Sequence, residues 1–353
     1  MLQLYGVKFM LKKFMAIWIG VCVIGFVFIS NGTTVYAAKI QKNSKVIENQ
    51  NLFIKEVYQH VLNREQNFTI IGNEKLGLLY KYDSSYLFEE VFDIDETTSD
   101  DYDYLRYSIE KQDVKVNIIE GKTIFTFTVA YFESSDQLKQ VNMELNKILK
   151  KLKINNSSNE VKVRKIHDYV IKQSSPYLGQ GKFGAYHALK KSASSRGYAL
   201  LTYKLLTEAN IPSKIVSGKM GSKTQVWNIV ELDGKWYYLD NAADDDHCTE
   251  IVPVRYTCFL LGTKEFKKHH TLADSYQSVD FESDYPMSIE NYPKRKSLIL
   301  AADAEKIKEK SGVGIFNETY HGISNVVVDS FEKINDTLSN TLLDGLGGIF
   351  SGV

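Results

Sequence analysis

Three polar side chains near the middle of the chain have the types and spacing that bear on acyl-transfer chemistry. Ser195 carries a hydroxyl, Gln225 an amide and Asp240 a carboxylate. A hydroxyl attacks a carbonyl carbon only when a base removes its proton, and a carboxylate is what orients such a base. A glutamine amide cannot accept that proton. Ser195 and Asp240 are therefore of the types that a nucleophile and an orienting carboxylate require, whereas Gln225 cannot serve as the base between them.

A predicted helix places Ser195 in its first turn. Leu201 and Leu205 follow at helical spacing, and Pro212 ends the helix because proline disfavours helical geometry in the residue before it. The first amides of a helix are free, and the macrodipole is positive at that end. Such a position lowers the pKa of a thiol and offers amides to an oxyanion, so it suits a nucleophile.

A predicted β-hairpin brings Gln225 and Asp240 together. Asp233-Gly234 is a two-residue turn signal between two strands that are rich in aromatic residues. Pairing around this turn sets Trp227 opposite Asp240. Gln225 and Asp240 are then diagonal neighbours on one face, with backbones about 7–8 Å apart.

The segments that hold these residues resemble the catalytic blocks of the bacterial transglutaminase-like domain, a papain-related family. The family pattern is Val-Cys-x-Gly-Tyr-Ala, then His-Ala-Trp-Asn, then Trp-Tyr-x-x-Asp. This chain has Ser-Ala-Ser-Ser-Arg-Gly-Tyr at 192–198, Gln-Val-Trp-Asn-Ile-Val at 225–230, and Lys-Trp-Tyr-Tyr-Leu-Asp at 235–240. The resemblance covers residues 158–272, including the flanking helices.

The resemblance implies a known fold but a degenerate catalytic triad. Ser195 stands where the family has its cysteine nucleophile, and Gln225 where it has its histidine base, whereas Asp240 matches. The implied fold class is α+β, with a papain-like transglutaminase core in which a helix packs on an antiparallel sheet. A smaller α+β module precedes this core.

Because two of the three positions are substituted, we expect a catalytically inactive member of the family. The inherited cleft, with Tyr198 and Trp227, would then bind an extended peptide such as a cell-wall peptide. The alternative is an active serine-variant acyl transferase or amidase, of transglutaminase or protease type, which recruits His187 or His247. A third hypothesis makes the domain a structural spacer. A histidine within about 3 Å of Ser195 would indicate catalysis. An open groove lined by aromatic residues would indicate a binding protein, and a filled groove would indicate a spacer.

The first residues are typical of an export signal. Lysines precede an apolar run at 14–29, and Ala37-Ala38 follow as a cleavage site. We predict that 1–38 is a signal peptide or an N-terminal membrane anchor, with cleavage favoured, and that the protein is secreted or attached to the cell surface. Contact with a membrane would occur only through this segment if it is uncleaved. The composition, rich in Lys, Asn and Ile and poor in Cys, resembles that of a Gram-positive bacterium.

The charge balance, the acidic stretch and the cysteines bear on nucleic acid, metals and disulfides in turn. Basic and acidic residues number 43 each, so no net charge favours nucleic acid as a partner. The acidic stretch 93–103 lacks the glycine and the closing glutamate of a calcium loop, and we expect a solvated loop. No metal and no cofactor is expected. Cys248 and Cys258 are predicted to be free thiols, although export would allow them to pair.

Composition and patterning divide the chain into five parts. A capping box at Ser134 and a turn at Glu120-Gly121 predict a helix and a hairpin in the second half of the N-terminal module. The parts are the segment 1–38, a tether at 39–50, an α+β module at 51–152, the transglutaminase-like domain at 158–280, and a C-terminal extension with an amphipathic helix at 281–353.

Overall fold

The computed structural model describes residues 46–94, 100, 102–177, 179, 181–245 and 256–311. The predicted signal, His247, Cys248 and the amphipathic helix predicted near 323–342 lie outside these ranges. Within them, no helix is long and apolar enough to cross a membrane. The described chain packs as two compact units, one made of 46–61, 65–91 and 112–129 and the other of 62–64, 92–111 and 130–311.

The first unit is built on a three-stranded sheet in the order β1-β3-β2. Glu120 and Gly121 both have positive φ, 49° and 75°, as the central residues of a tight hairpin turn do, and the predicted hairpin is confirmed. Phe53 packs on Phe125 with ring centroids 4.4 Å apart. Its elements are α1 (Gln50–Leu62), β1 (Asn67–Asn73), α2 (Glu74–Tyr80), α3 (Ser84–Phe92), β2 (Ile109–Ile119) and β3 (Lys122–Tyr131).

The second unit carries a five-stranded sheet in the order β7-β6-β5-β4-β8, and its paired strands are antiparallel. The strands are β4 (Ser213–Met220), β5 (Lys223–Leu232), β6 (Lys235–Leu239), β7 (Phe259–Leu261) and β8 (His270–Leu272). The helices are α4 (Tyr102–Ser108), α5 (Ser135–Leu152), α6 (Asn159–Gln173), α7 (Ala185–Leu189), α8 (Ser195–Glu208), α9 (Asn241–Asp245), α10 (Thr263–Phe266), α11 (Val279–Asp284) and α12 (Arg295–Ser311).

Helix α8 is the centre of the second unit. Its Leu200, Leu201 and Leu205 are fully buried in the same core as Val230 of β5 and Leu239 of β6. The other face of the sheet has a separate core around Trp227, Tyr238 and Phe266. The α+β fold class, with a helix packed on an antiparallel sheet, is confirmed.

Helix α5 begins as predicted, because Ser134 Oγ accepts from the Gln137 amide while the Gln137 side chain accepts from the Ser134 amide. Its apolar face, which includes Leu138, Val141 and Leu145, lies in the core of the second unit. The helix therefore packs with α8, although it precedes the boundary that the sequence places after residue 152. That boundary stays a prediction.

The expectation of a solvated acidic loop is wrong for two of its residues. Asp103 is only 4% exposed, and its carboxylate lies 3.1 Å from Lys214 Nζ and 2.6 Å from the amide of Ile215. Asp100 forms an ion pair with the fully buried Lys204. A buried ammonium is tolerable only when an anion accompanies it, and these carboxylates supply the anions.

Candidate functional site

Ser195 is the first residue of α8, as the sequence predicts. Its Oγ accepts a hydrogen bond from the amide of Val226 on β5, at 3.3 Å. Within the described residues, no histidine hydrogen-bonds to this hydroxyl. Ser195 therefore lies at the start of a helix, and no base contacts it within the part of the chain that the structure describes.

Gln225 and Asp240 meet as the predicted register requires. Pairing of Glu231 with Trp236 and of Ile229 with Tyr238 confirms that register. The Gln225 amide nitrogen lies 3.2 Å from one carboxylate oxygen of Asp240 and 3.4 Å from the other. The glutamine side chain thus binds the carboxylate that would orient a base, and cannot itself accept a proton.

A histidine that the sequence did not single out as a base also binds Asp240. Nε2 of His270, on β8, lies 3.0 Å from Asp240 Oδ2. The imidazole is buried, stacked on Phe266 with ring centroids 4.0 Å apart. The segment around His270 belongs to the family-like region, but two other strands separate β8 from β6 in the sheet. No local spacing could therefore indicate the contact with Asp240.

Asp240 is fully buried, and donors surround its carboxylate. Oδ1 accepts from the amide of Ala243 at 3.0 Å, and Oδ2 is shared by Gln225 and His270. A buried carboxylate needs such donors because its desolvation is otherwise very costly. The arrangement is a satisfied polar cluster.

The prediction that Trp227 lines a binding cleft is wrong. Its side chain is 1% exposed and packs edge-on against Phe266 and His270, with centroids 5.2 Å away in each case. Alternate residues of β5 face the second core, which α10 and β8 close, so Trp227 presents no surface to a ligand. Tyr198 does border the pocket at Ser195, although it is almost fully buried and its hydroxyl is bound to Asp245.

Two cavities lie side by side here and share Met220 and Ala243 as lining residues. The one that contains Ser195 and Gln225 has a volume of about 70 Å³. The other has a volume of about 740 Å³ and is bordered by Cys258, His270 and Arg295. The larger cavity therefore lies next to the triad position and not at it.

Neither His187 nor Cys258 hydrogen-bonds to Ser195 in the described chain. His187 is half-buried, burial lowers its pKa, and its Nδ1 has no partner within the described chain. Burial raises the pKa of the Cys258 thiol, and the charges of Asp244 and Asp240 add to this effect, so the thiol stays protonated. Over the same described ranges, no group of three or more ligand side chains could hold a metal.

A second buried histidine, His167 on α6, connects α6 with α9 next to the site. Nδ1 of His167 lies 3.1 Å from Asp168, and its Nε2 lies 3.0 Å from Asp244. Asp244 also accepts from the Thr257 hydroxyl at 2.6 Å and from the Cys258 amide at 2.7 Å. Asp244, on α9, thus contacts both α6 and the residues just before β7.

Gly218 is where β4 allows β8 to approach. A Cβ at this position would lie 2.0 Å from the carbonyl oxygen of Thr271, which is a backbone atom that must then move. We expect Gly218→Ala to lower the free energy of unfolding by roughly 3 kcal/mol, because overpacking here displaces a strand. It should also weaken the contact between His270 and Asp240.

Chemical denaturation of the wild type and the variant would measure this effect. Gly221→Ala is the control, because a Cβ there meets nothing within 4 Å although φ is +60°. It should cost only about 1 kcal/mol. Equal losses for the two variants would show that β8 does not need the close approach.

Comparisons with known proteins give only weak likenesses. No protein-family model matches the chain, and no curated protein matches it. Among solved structures, a protein assigned as a cysteine protease from Cytophaga hutchinsonii is 12% identical, with a TM-score of 0.26 over 38% of this chain and 65% of that one. A TGase is 13% identical, with a TM-score of 0.29 over 59% of this chain and 63% of that one.

A third structure, of a protein assigned as a protease from Parabacteroides distasonis, is 12% identical, with a TM-score of 0.19 over 49% of this chain and 39% of that one. The chain thus spans less than two thirds of the length of each of these structures. The likenesses are weak. The family resemblance therefore rests on the three sequence blocks.

Proposed function

We propose that this chain is a non-catalytic protein of the transglutaminase-like type that binds a peptide on the outside of the cell. The observation that carries the proposal is the set of side chains that bind the Asp240 carboxylate. Its carboxylate is bound by Gln225, which cannot take a proton, and by His270, which borders the neighbouring cavity. Among the described residues, the Ser195 hydroxyl is bound by the backbone amide of Val226 and by no histidine.

The sizes of the cavities determine where a ligand would bind. About 70 Å³ at Ser195 accommodates a few water molecules but no residue of a peptide. The neighbouring cavity, at about 740 Å³, is within the range of ligand pockets. We therefore place peptide binding in the larger cavity. The apolar N-terminal run supports export, and the family resemblance supports cell-wall peptide as the ligand class.

The pair formed by His270 and Asp240 favours a second candidate function. A histidine oriented by a buried carboxylate is the usual form of a general base. In this alternative His270, and not His187 or His247, is the recruited histidine of a serine-variant acyl transferase or amidase. Its ring would have to reach Ser195 past Met220 and Ala243, which lie between the two cavities.

The deciding experiment uses the wild-type full chain. Amine incorporation into glutamine peptides and hydrolysis of peptides are both followed, with Ser195→Ala as the control. We expect no turnover above that of the control. Turnover that is lost in Ser195→Ala and also in His270→Asn would overturn the proposal and establish the second candidate.

A further inference from the structure

The cavity of about 740 Å³ has an unusual distribution of charge along its walls. Four basic side chains border it, and Glu265 is its one acidic residue within the described part of the chain. Glu265 is already bound by Lys268, whose Nζ lies 2.8 Å from both carboxylate oxygens. The basic residues are Lys268, His269, His270 and Arg295.

Arg295 is a cation without a carboxylate partner in the described residues. Its Nε donates to the carbonyl oxygen of Phe259 at 2.6 Å, and its Nη2 donates to that of Tyr256. These bonds fix the guanidinium but form no ion pair, and among the described residues they leave its Nη1 without a hydrogen-bond partner. Burial lowers the pKa of Arg295, although nearby acidic groups oppose this effect. A half-buried guanidinium of this kind is stabilised most by an anion that accepts its remaining hydrogens.

A second polar group at the cavity wall has a donor that its bond within the chain leaves unused. The side-chain oxygen of Asn291 accepts from the amide of Gly262 at 3.0 Å, which leaves its NH₂ group as a donor.

The cavity walls therefore supply donors suited to a carboxylate, the group that ends a peptide. Leu261 and Met220 supply apolar surface beside them. The backbone of an internal stretch of peptide, in contrast, has no negative charge to offer Arg295.

We propose that this cavity binds the C-terminal residue of a peptide, with the Arg295 guanidinium and the Asn291 amide group on its carboxylate. The inference rests on the proposed peptide-binding function and specifies which part of the peptide is recognised. Ser195 plays no part in the contact.

The test compares two peptides that differ only at their end. Acetyl-Ala-Ala with a free carboxylate and acetyl-Ala-Ala-amide are titrated into the wild-type full chain by calorimetry. We expect the acid to bind at least tenfold more tightly than the amide, because charge-assisted hydrogen bonds to Arg295 are among the strongest polar contacts. Arg295→Gln should remove this preference for the acid.

Lys294→Gln is the matched control. It removes the same charge from the preceding residue, whose side chain is exposed and pairs with Glu160 outside the cavity. The preference for the acid should persist in this variant. If Arg295→Gln fails to fold, as circular dichroism would show, Arg295→Lys decides, because it keeps the charge and should bind the acid more weakly than wild type but still in preference to the amide.

Equal affinity for the two peptides in the wild type would overturn the recognition of a carboxylate while leaving peptide binding intact. The absence of binding by either peptide would also overturn this inference. Turnover in the assay of the preceding section would instead overturn the proposed function. The failures of the two proposals are therefore distinguishable.

Discussion

Turnover should appear when Ser195→Cys and Gln225→His are made together, at a rate about 100-fold or more above that of either single variant. The helix start, the strand and the buried Asp240 are all in place for a cysteine, a histidine and a carboxylate. Cysteine at position 195 would lie at a helix N-terminus, which favours the thiolate. Histidine at position 225 would take over the contact that the glutamine amide now makes with Asp240.

Each single substitution should have little effect, because members of a triad act as a unit. Ser195→Cys alone has no base, and Gln225→His alone leaves a hydroxyl that must be aligned far more accurately than a thiolate. Amine incorporation and peptide hydrolysis measure the outcome, and Asp240→Asn in the double variant is the control that should lower the rate again. A double variant without turnover, or with merely additive rates, would contradict the view that the cleft keeps a catalytic geometry.

The second large effect concerns His167 and the dependence of stability on pH. Burial lowers the pKa of His167, but its hydrogen bonds to Asp168 and Asp244 and their charges outweigh this, so the pKa is raised. A raised pKa in the folded state means that the contribution to stability is complete below the unfolded value of about 6.5 and is lost as the pH rises through the folded value. The free energy of unfolding should therefore fall with rising pH above about 6.5.

His167→Gln should cost about 3–5 kcal/mol at pH 6, because each of two buried carboxylates loses a charged hydrogen-bond donor and each such bond contributes about 1.5–3 kcal/mol. It should also flatten the fall in stability between pH 6.5 and 9. Urea unfolding at a series of pH values measures both effects. His187→Gln is the control, since burial lowers the pKa of His187 and its contribution has the opposite sign. A wild-type stability that does not fall over this range would contradict the prediction.

The local parts of the site were predictable because their signals are local. The Asp233-Gly234 turn fixes the register of β5 and β6, and that register fixes the contact of Gln225 with Asp240. Glycine and the residue before it adopt the positive φ values, 76° and 53°, that such a turn requires. Pro212 and the periodic leucines likewise placed Ser195 at the start of α8.

Contacts between distant segments were not predictable from the same signals. The pattern of β5 shows that Trp227 and Gln225 share a face, but it does not show that α10 and β8 cover that face and bury Trp227. The acidic stretch likewise resembled a solvated loop, because nothing in its sequence indicates that Asp100 and Asp103 compensate the buried charges of Lys204 and Lys214.

The sequence by itself determined the α+β class, the helix start at Ser195 and the absence of a base at Gln225, since residue type and short spacing decide all three. Only the tertiary structure decided which histidine binds Asp240 and on which side the site opens. His270 lies on a short edge strand that reaches Asp240 across the sheet, and Gly218 provides the space for that strand. Asp240 therefore binds a residue that borders the larger cavity. Its neighbours come from segments far apart in the chain, so packing decides them and local spacing does not.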